Sequence, residues 1–255
     1  MKKIALFIFI VSCFMACQKA KVKEEINPDT EKEIKLTADA VVADNELTAE
    51  EKDAGWKLLF DGKTLDGWRM YKDKENNSWE VDHGTLHCKA FEPKTAEKRA
   101  DLITTDQYDD FELSFEWKIQ KQSNSGVMFR VREDYEEPYA TGPEYQILDD
   151  VAYADVHESN FTGCLFGMYA AGKKTLNPVG HWNQSQILSK NNHVEHWLNG
   201  EKVLQYDINS PTWNEVKSAS KWKTFSDYAK AESGHIDLQD HGNEVWFKNI
   251  KIKTN

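Results

Sequence analysis

The chain has 255 residues, 40% of them hydrophobic and 12% aromatic, with nine Trp and a formal net charge of −11. Those proportions suit a folded domain and exclude a disordered chain, which carries few aromatics. The acidic balance and the lack of any basic patch with interleaved aromatics exclude nucleic acid as a partner.

Lys2 and Lys3 precede an apolar run, Ile4–Val11, that is too short to cross a bilayer. Phe14-Met15-Ala16-Cys17 resembles a bacterial lipobox, and the chain turns polar at once from Gln18 to Glu25. The expectation is a signal peptide over residues 1–16 and a lipid on Cys17. The protein is then tied to a bacterial membrane by lipid alone, facing the periplasm or cell surface. No later apolar run reaches the 18 residues of a spanning helix. Residues 17–52 are rich in Lys, Glu, Asp and Ala and lack Trp, Phe and Tyr, so they read as a flexible tether. Cys88 and Cys164 remain in a compartment that permits disulfides, but nothing in the sequence puts them within bridging distance. No Cys-x-x-Cys occurs, which argues against a structural zinc site.

Aromatics begin at Trp56 and continue to the end, so residues 53–255 form one domain. Its period is mostly two. Trp56–Phe60, Trp79–Val81 and Thr85–Lys89 are the first strand candidates. Phe111–Ile119 alternates without a break, with Phe, Leu, Phe, Trp and Ile on one face. Val127–Arg132 alternates too, with Arg130 and Arg132 on the same side. Gly142–Leu148, Cys164–Ala170 and Ser185–Ser189 follow. Asn199-Gly200 between His193–Leu198 and Glu201–Tyr206 predicts a tight hairpin, because both turn positions need positive φ. A helical insertion is expected near 212–231, opened by a Thr212/Glu215 capping box and lying on the domain's edge. Glu244–Lys253 is the last strand. Many short strands and one helix predict an all-β, antiparallel sandwich.

The outward strand positions are unusually rich in charge: Glu112, Glu116, Arg130, Arg132, Glu144 and Gln146. If their strands are neighbours, Glu116, Arg130 and Glu144 form a carboxylate–guanidinium–carboxylate cluster on a concave face. A row of solvated charges is the plainer alternative.

Several motifs resemble one family. They are Leu59-Phe60-Asp61-Gly62-Lys63-Thr64-Leu65-Asp66-Gly67-Trp68, Trp79–Leu86, Asp110–Leu113, Asn124–Arg130, Glu144–Asp149, Gly180–Asn183, Trp197–Gly200, Gly234–Gly242 and Val245–Ile250. In order and spacing they are similar to the 3-keto-glucoside 1,2-lyase/3-keto-2-hydroxy-glucal hydratase family, also labelled 3-keto-disaccharide hydrolase, across residues 55–253. Phe161–Tyr169 is bulkier than the family's corresponding Gly-Ala-Leu-Tyr-like strand. The resemblance implies a concanavalin A-like jelly roll of two antiparallel sheets. It also implies cleavage of a glycoside that a separate dehydrogenase has oxidised at carbon 3.

A carbon-3 ketone acidifies the proton on carbon 2, so elimination needs a base, an electrophile at the carbon-3 oxygen and a proton donor for the leaving oxygen. Glu144 and His241 are the candidate bases, and Arg130 is the candidate electrophile. Gln146, Asn183, Glu116 and Asp149 are candidate substrate contacts. A divalent metal ion is left open as a cofactor, with Glu116, Glu144, Asp149 and His241 as the available ligand types. Each has an ordinary structural alternative: a salt bridge for Glu144 with Arg130, a turn role for Asn183, Asp149 and His241. His157 near Asp155 is a weaker ligand pair. Two other functions fit the same scaffold: a non-catalytic carbohydrate-binding lipoprotein and an ordinary two-carboxylate glycoside hydrolase.

Overall fold

Strict alternation makes Phe111–Ile119 a strand with one apolar face, and Phe111, Leu113, Phe115, Trp117 and Ile119 are all at most 3% exposed. The computed structural model describes residues 43–92 and 98–254. In chain order its strands are β1 (Lys57–Leu58), β2 (Trp68–Met70), β3 (Trp79–Asp82), β4 (Thr85–Cys88), β5 (Leu102–Thr104), β6 (Phe111–Ile119), β7 (Asn124–Val131), β8 (Glu144–Leu148), β9 (Asn183–Lys190), β10 (His193–Leu198), β11 (Glu201–Asp207), β12 (His235–Leu238) and β13 (Val245–Thr254). The larger sheet runs β11-β10-β9-β6-β13-β4-β3, with β1 also on β13; the smaller runs β2-β5-β12-β7-β8. All pairings are antiparallel. The chain is therefore the all-β sandwich of two antiparallel sheets that the alternation predicts.

The inward face of β6 meets Val127, Phe129, Tyr145, Ile147, Ile236 and Leu238 of the smaller sheet in one core. Each such side chain contributes about 1.5–3 kcal/mol of burial. A short polar chain crosses this core with every link satisfied: Trp117 Nε1 donates to Ser185 Oγ (2.8 Å), and Ser185 Oγ to Tyr145 Oη (2.8 Å). The β10–β11 hairpin turns at Asn199 and Gly200, with φ of 48° and 81°.

Several local expectations change. Residues 43–52, assigned to the tether by composition, lie on the folded domain. The Asn45 amide donates to the Gly84 carbonyl (2.8 Å), and Thr48 caps the short helix α1 (Ala49–Asp53) in a capping box with Glu51. Hydrogen bonds, invisible to a hydrophobicity count, hold this segment. The insertion is broken: α2 covers only Pro211–Ala219, capped by Ser210, and Lys221–Thr224 is a 3-10 turn. Pro211 suits the first helical turn and moves the cap two residues earlier than Thr212. Cys164–Ala170 is a loop that touches β8 only through a Tyr145–Leu165 bridge. Cys88 and Cys164 are both buried free thiols. The expected signal peptide, the expected lipid site at Cys17 and the part of the expected tether up to residue 42 lie outside the described residues.

Candidate active site

The pleat of the smaller sheet sets the site. On β8, Tyr145 and Ile147 turn into the core, so Glu144 and Gln146 turn outward. Register then places Met128 opposite Glu144 and Gly126 opposite Gln146 on β7, and Asp237 of β12 opposite Met128. Gly126 is required here: a β-carbon at that position would overlap the Glu144 carboxyl group. Gln239 follows β12, and its backbone N–H donates to the Gly126 carbonyl at 3.0 Å.

Glu144, Gln146 and Gln239 floor a cavity of about 430 Å³ lined also by Asn124, Tyr139, Phe166, Lys221, Trp222, Phe225 and His241. Its wall comes from the broken insertion. Trp222 stacks on Tyr228 at 4.4 Å and donates its indole N–H to the Phe166 carbonyl at 2.8 Å. Trp222 and Phe225 thus pack within the insertion, their rings 5.5 Å apart, and the 3-10 turn also gives them a side toward the cavity. Lys221 comes with it, its Nζ 3.7 Å from the centre of the Phe166 ring and 4.5 Å from that of Trp222.

Glu144 is 2% exposed. Burial pushes its pKa up to about 8; nearby Asp101 adds to the rise, while Lys221 and a Gln239 hydrogen bond oppose it. With its nitrogen turned toward Glu144, the Gln146 amide donates to Glu144 Oε1 (2.9 Å) and to the Ser125 carbonyl (3.2 Å). Lys221 is shifted down by partial burial, and the Glu144 carboxylate opposes that shift. Beneath the face, Asp237 is fully buried with neither carboxyl oxygen hydrogen-bonded. Burial first, then the neighbouring Asp101, hold it protonated far above the ordinary carboxylate range.

His241 stands at the solvent-exposed rim on a loop that is firmly anchored. The buried Asp240 carboxylate accepts from Arg99 Nε (2.9 Å), Ser78 Oγ (2.6 Å) and the Gly242 N–H (3.0 Å). Asp101 Oδ1 accepts the Asp240 N–H at 2.8 Å.

Of the residues singled out from sequence, the structure gathers Glu144, Gln146 and His241 in this cavity and separates the rest. Arg130 does not face it. Arg130 has φ of 56°, and the β7–β12 register shifts beside it. That bulge turns the guanidinium between the sheets, where it is 3% exposed and donates to Asn192 Oδ1 at 2.9 Å. Gly234 permits the bulge, since a β-carbon there would strike the Arg130 backbone. Glu116 lies on β6 in the other sheet and accepts from Asn249 at 3.0 Å. The expected Glu116–Arg130–Glu144 cluster therefore does not form. Asp149 accepts the Gln122 and Ala152 N–H groups as a turn residue. Asn183 accepts from Asn177 and Asn199 beside a different cavity. His157 caps a short turn at Ser159. Of the metal-ligand types named from sequence, only Glu144 and His241 share this cavity. Among the described residues no group of three or more His, Cys, Asp and Glu side chains is arranged to hold a metal ion.

Sequence reasoning passed over Lys221, Gln239, Asn124, Tyr139, Phe166, Trp222 and Phe225 as site residues. Gln239 and Asn124 sat inside quoted motifs and Phe166 inside the bulky Phe161–Tyr169 stretch; Trp222 and Phe225 had near-helical spacing that reads as packing, and Lys221 and Tyr139 carried no signal.

The family profile of the 3-keto-alpha-glucoside-1,2-lyase-like domain matches residues 55–253. A 3-keto-disaccharide hydrolase of Bacteroides thetaiotaomicron is 32% identical over 227 residues, covering 78% of each chain. A solved structure of a proposed glycosyl hydrolase from Parabacteroides distasonis is 38% identical with a TM-score of 0.76, covering 84% of this chain and all of that one. A second from the same organism is 25% identical with a TM-score of 0.61, covering 78% of this chain and 99% of that one.

Proposed function

Since the chain belongs to the 3-keto-alpha-glucoside-1,2-lyase-like domain family, we propose that it cleaves glycosides already oxidised at carbon 3, by elimination across carbons 1 and 2. The observation that carries this reading is the composition of the cavity: among the described residues that line it, there is one carboxyl group, one His and one Lys. Direct hydrolysis at carbon 1 ordinarily uses two facing carboxyl groups. Elimination needs instead a base, an acid and a cation, which this set supplies.

His241 takes the proton from carbon 2, and Glu144 gives a proton to the leaving oxygen as the carbon-1 bond to it breaks. Glu144 suits the acid role because, with a pKa near 8, it holds its proton at neutral pH. Its Oε1 is already occupied by the Gln146 donor, which leaves Oε2 for the proton. Lys221 stands where Arg130 was expected and meets the negative charge that develops on the carbon-3 oxygen. The products are the free aglycone alcohol and a 3-keto-2-hydroxy-glucal. Adding water across the new double bond, hydroxyl to carbon 1 and hydrogen to carbon 2, completes net hydrolysis. Tyr139, Phe166, Trp222 and Phe225 offer apolar faces to the sugar ring. A separate dehydrogenase supplies the keto-sugar in this scheme. A lipid on Cys17 holds the enzyme on a membrane outside the cytoplasm.

The test is turnover of a 3-keto-disaccharide labelled with deuterium at carbon 2, beside its unoxidised parent. Elimination loses the label to solvent and leaves the parent intact. Retention of the label in the products, or equal cleavage of the parent, overturns the proposal.

A further inference from the structure

The outward face of the larger sheet carries a second feature, remote from the cavity on the smaller sheet. Register aligns Trp197, Gln186 and Ser114 in one row across β10, β9 and β6, and Glu195, Leu188 and Glu112 in the next. Trp56 enters β1, which lies against β13 beside β6, on the far side from Trp197. Trp56, Glu112, Gln186, Leu188, Glu195 and Trp197 line a groove of about 170 Å³ with an indole on each flank. Solvent-facing strand positions ordinarily carry small or charged residues, yet two half-buried indoles stand here, each with a lysine amine 5.9 Å from its ring centre, Lys251 at Trp56 and Lys202 at Trp197.

The polar groups between them show what the groove accepts. Glu195 is paired with Lys202 (2.8 Å) and with the Trp197 indole N–H (2.9 Å), and Glu112 with Lys253 (3.2 Å). The acids are thus neutralised, and no uncompensated charge in the groove attracts an ion. Gln186 is solvent-exposed, and its amide has no hydrogen-bond partner among the described residues. Flat apolar walls, a free amide that both donates and accepts, and balanced charge match a neutral sugar ring, whose C–H face stacks on aromatics while its hydroxyls bond to amides.

We propose that the Trp56–Trp197 groove is a second saccharide-binding site that retains a neutral glycan chain, separate from the cavity holding Glu144. It stands independently of the elimination reading.

The experiment is native gel electrophoresis of the full chain through gels containing laminarin, dextran, galactomannan or hydroxyethylcellulose, with isothermal titration on any that slows it. At least one glycan retards the unaltered protein. Trp197→Ala weakens that binding about tenfold, as loss of a stacking face does. Gln186→Ala weakens it too, and it removes an exposed, unpartnered amide that the fold does not use. Turnover of 3-keto-disaccharide stays unchanged in both variants, and Glu144→Gln leaves the retardation intact. No retardation by any of the four glycans, retardation that survives both groove variants, or retardation abolished by Glu144→Gln overturns the proposal.

Discussion

Replacing Glu144 by Gln probes the electrostatics of the cavity and its chemistry together. The buried carboxyl titrates near 8 in the folded chain, against an ordinary 4.5. Between those values the native state keeps a proton that the unfolded chain has released, so stability falls as pH rises through the window. At about 1.4 kcal/mol per unit, the cost of burying Glu144 is about 1 kcal/mol at pH 5 and about 3 kcal/mol at pH 7. Gln has nearly the same shape and never ionises. The variant is therefore more stable than the parent at pH 7, by up to about 3 kcal/mol, and by only about 1 kcal/mol at pH 5. Urea unfolding of both proteins from pH 5 to 8, followed by Trp fluorescence, measures the difference directly. The same substitution lowers turnover of the keto-glycoside about 10²–10⁴-fold. Parallel stability curves, or a Gln variant less stable at pH 8, refute the argument that burial holds Glu144 protonated.

Activity of the parent falls as pH rises through about 8, where Glu144 loses the proton it donates, and a kcat/KM profile shows this limb. Gly126→Ala pushes the Glu144 carboxyl aside; it costs about 1–3 kcal/mol of stability and most of kcat, measured by unfolding and initial rates. Arg130→Ala removes the hydrogen-bond partner of the buried Ser189 and of Asn192 in the β9–β10 turn and leaves a void, so it lowers stability by about 1–3 kcal/mol in denaturant titration while KM stays unchanged. Cys17→Ala releases the protein from the membrane fraction or blocks its maturation, and fractionation with mass mapping of the N-terminus checks this.

Local periodicity alone determined much of this protein. Alternation in Phe111–Ile119 and the Asn199-Gly200 turn specify strands and a hairpin because side-chain direction follows backbone period wherever one face must be buried. Glu144 and Gln146 were legible for the same reason: they are two apart on one strand, so they share a face. β2, β5 and β12 were not legible as strands, and pairing with their neighbours in the smaller sheet is what makes them so. Arg130 shows where the period misleads. One bulge residue reverses the face, and the bulge is set by Gly234, just before the partner strand and more than a hundred positions away. Glu116 and Glu144 have the same residue type and similar strand contexts, yet their strands belong to different sheets, and strand order is a property of the assembled fold. Lys221 and the aromatic wall reach the cavity because Ser220 breaks the helix and turns Trp222 onto Phe166. The raised pKa of Glu144 also belongs to the tertiary structure, since it comes from surroundings that only folding puts around the carboxyl group.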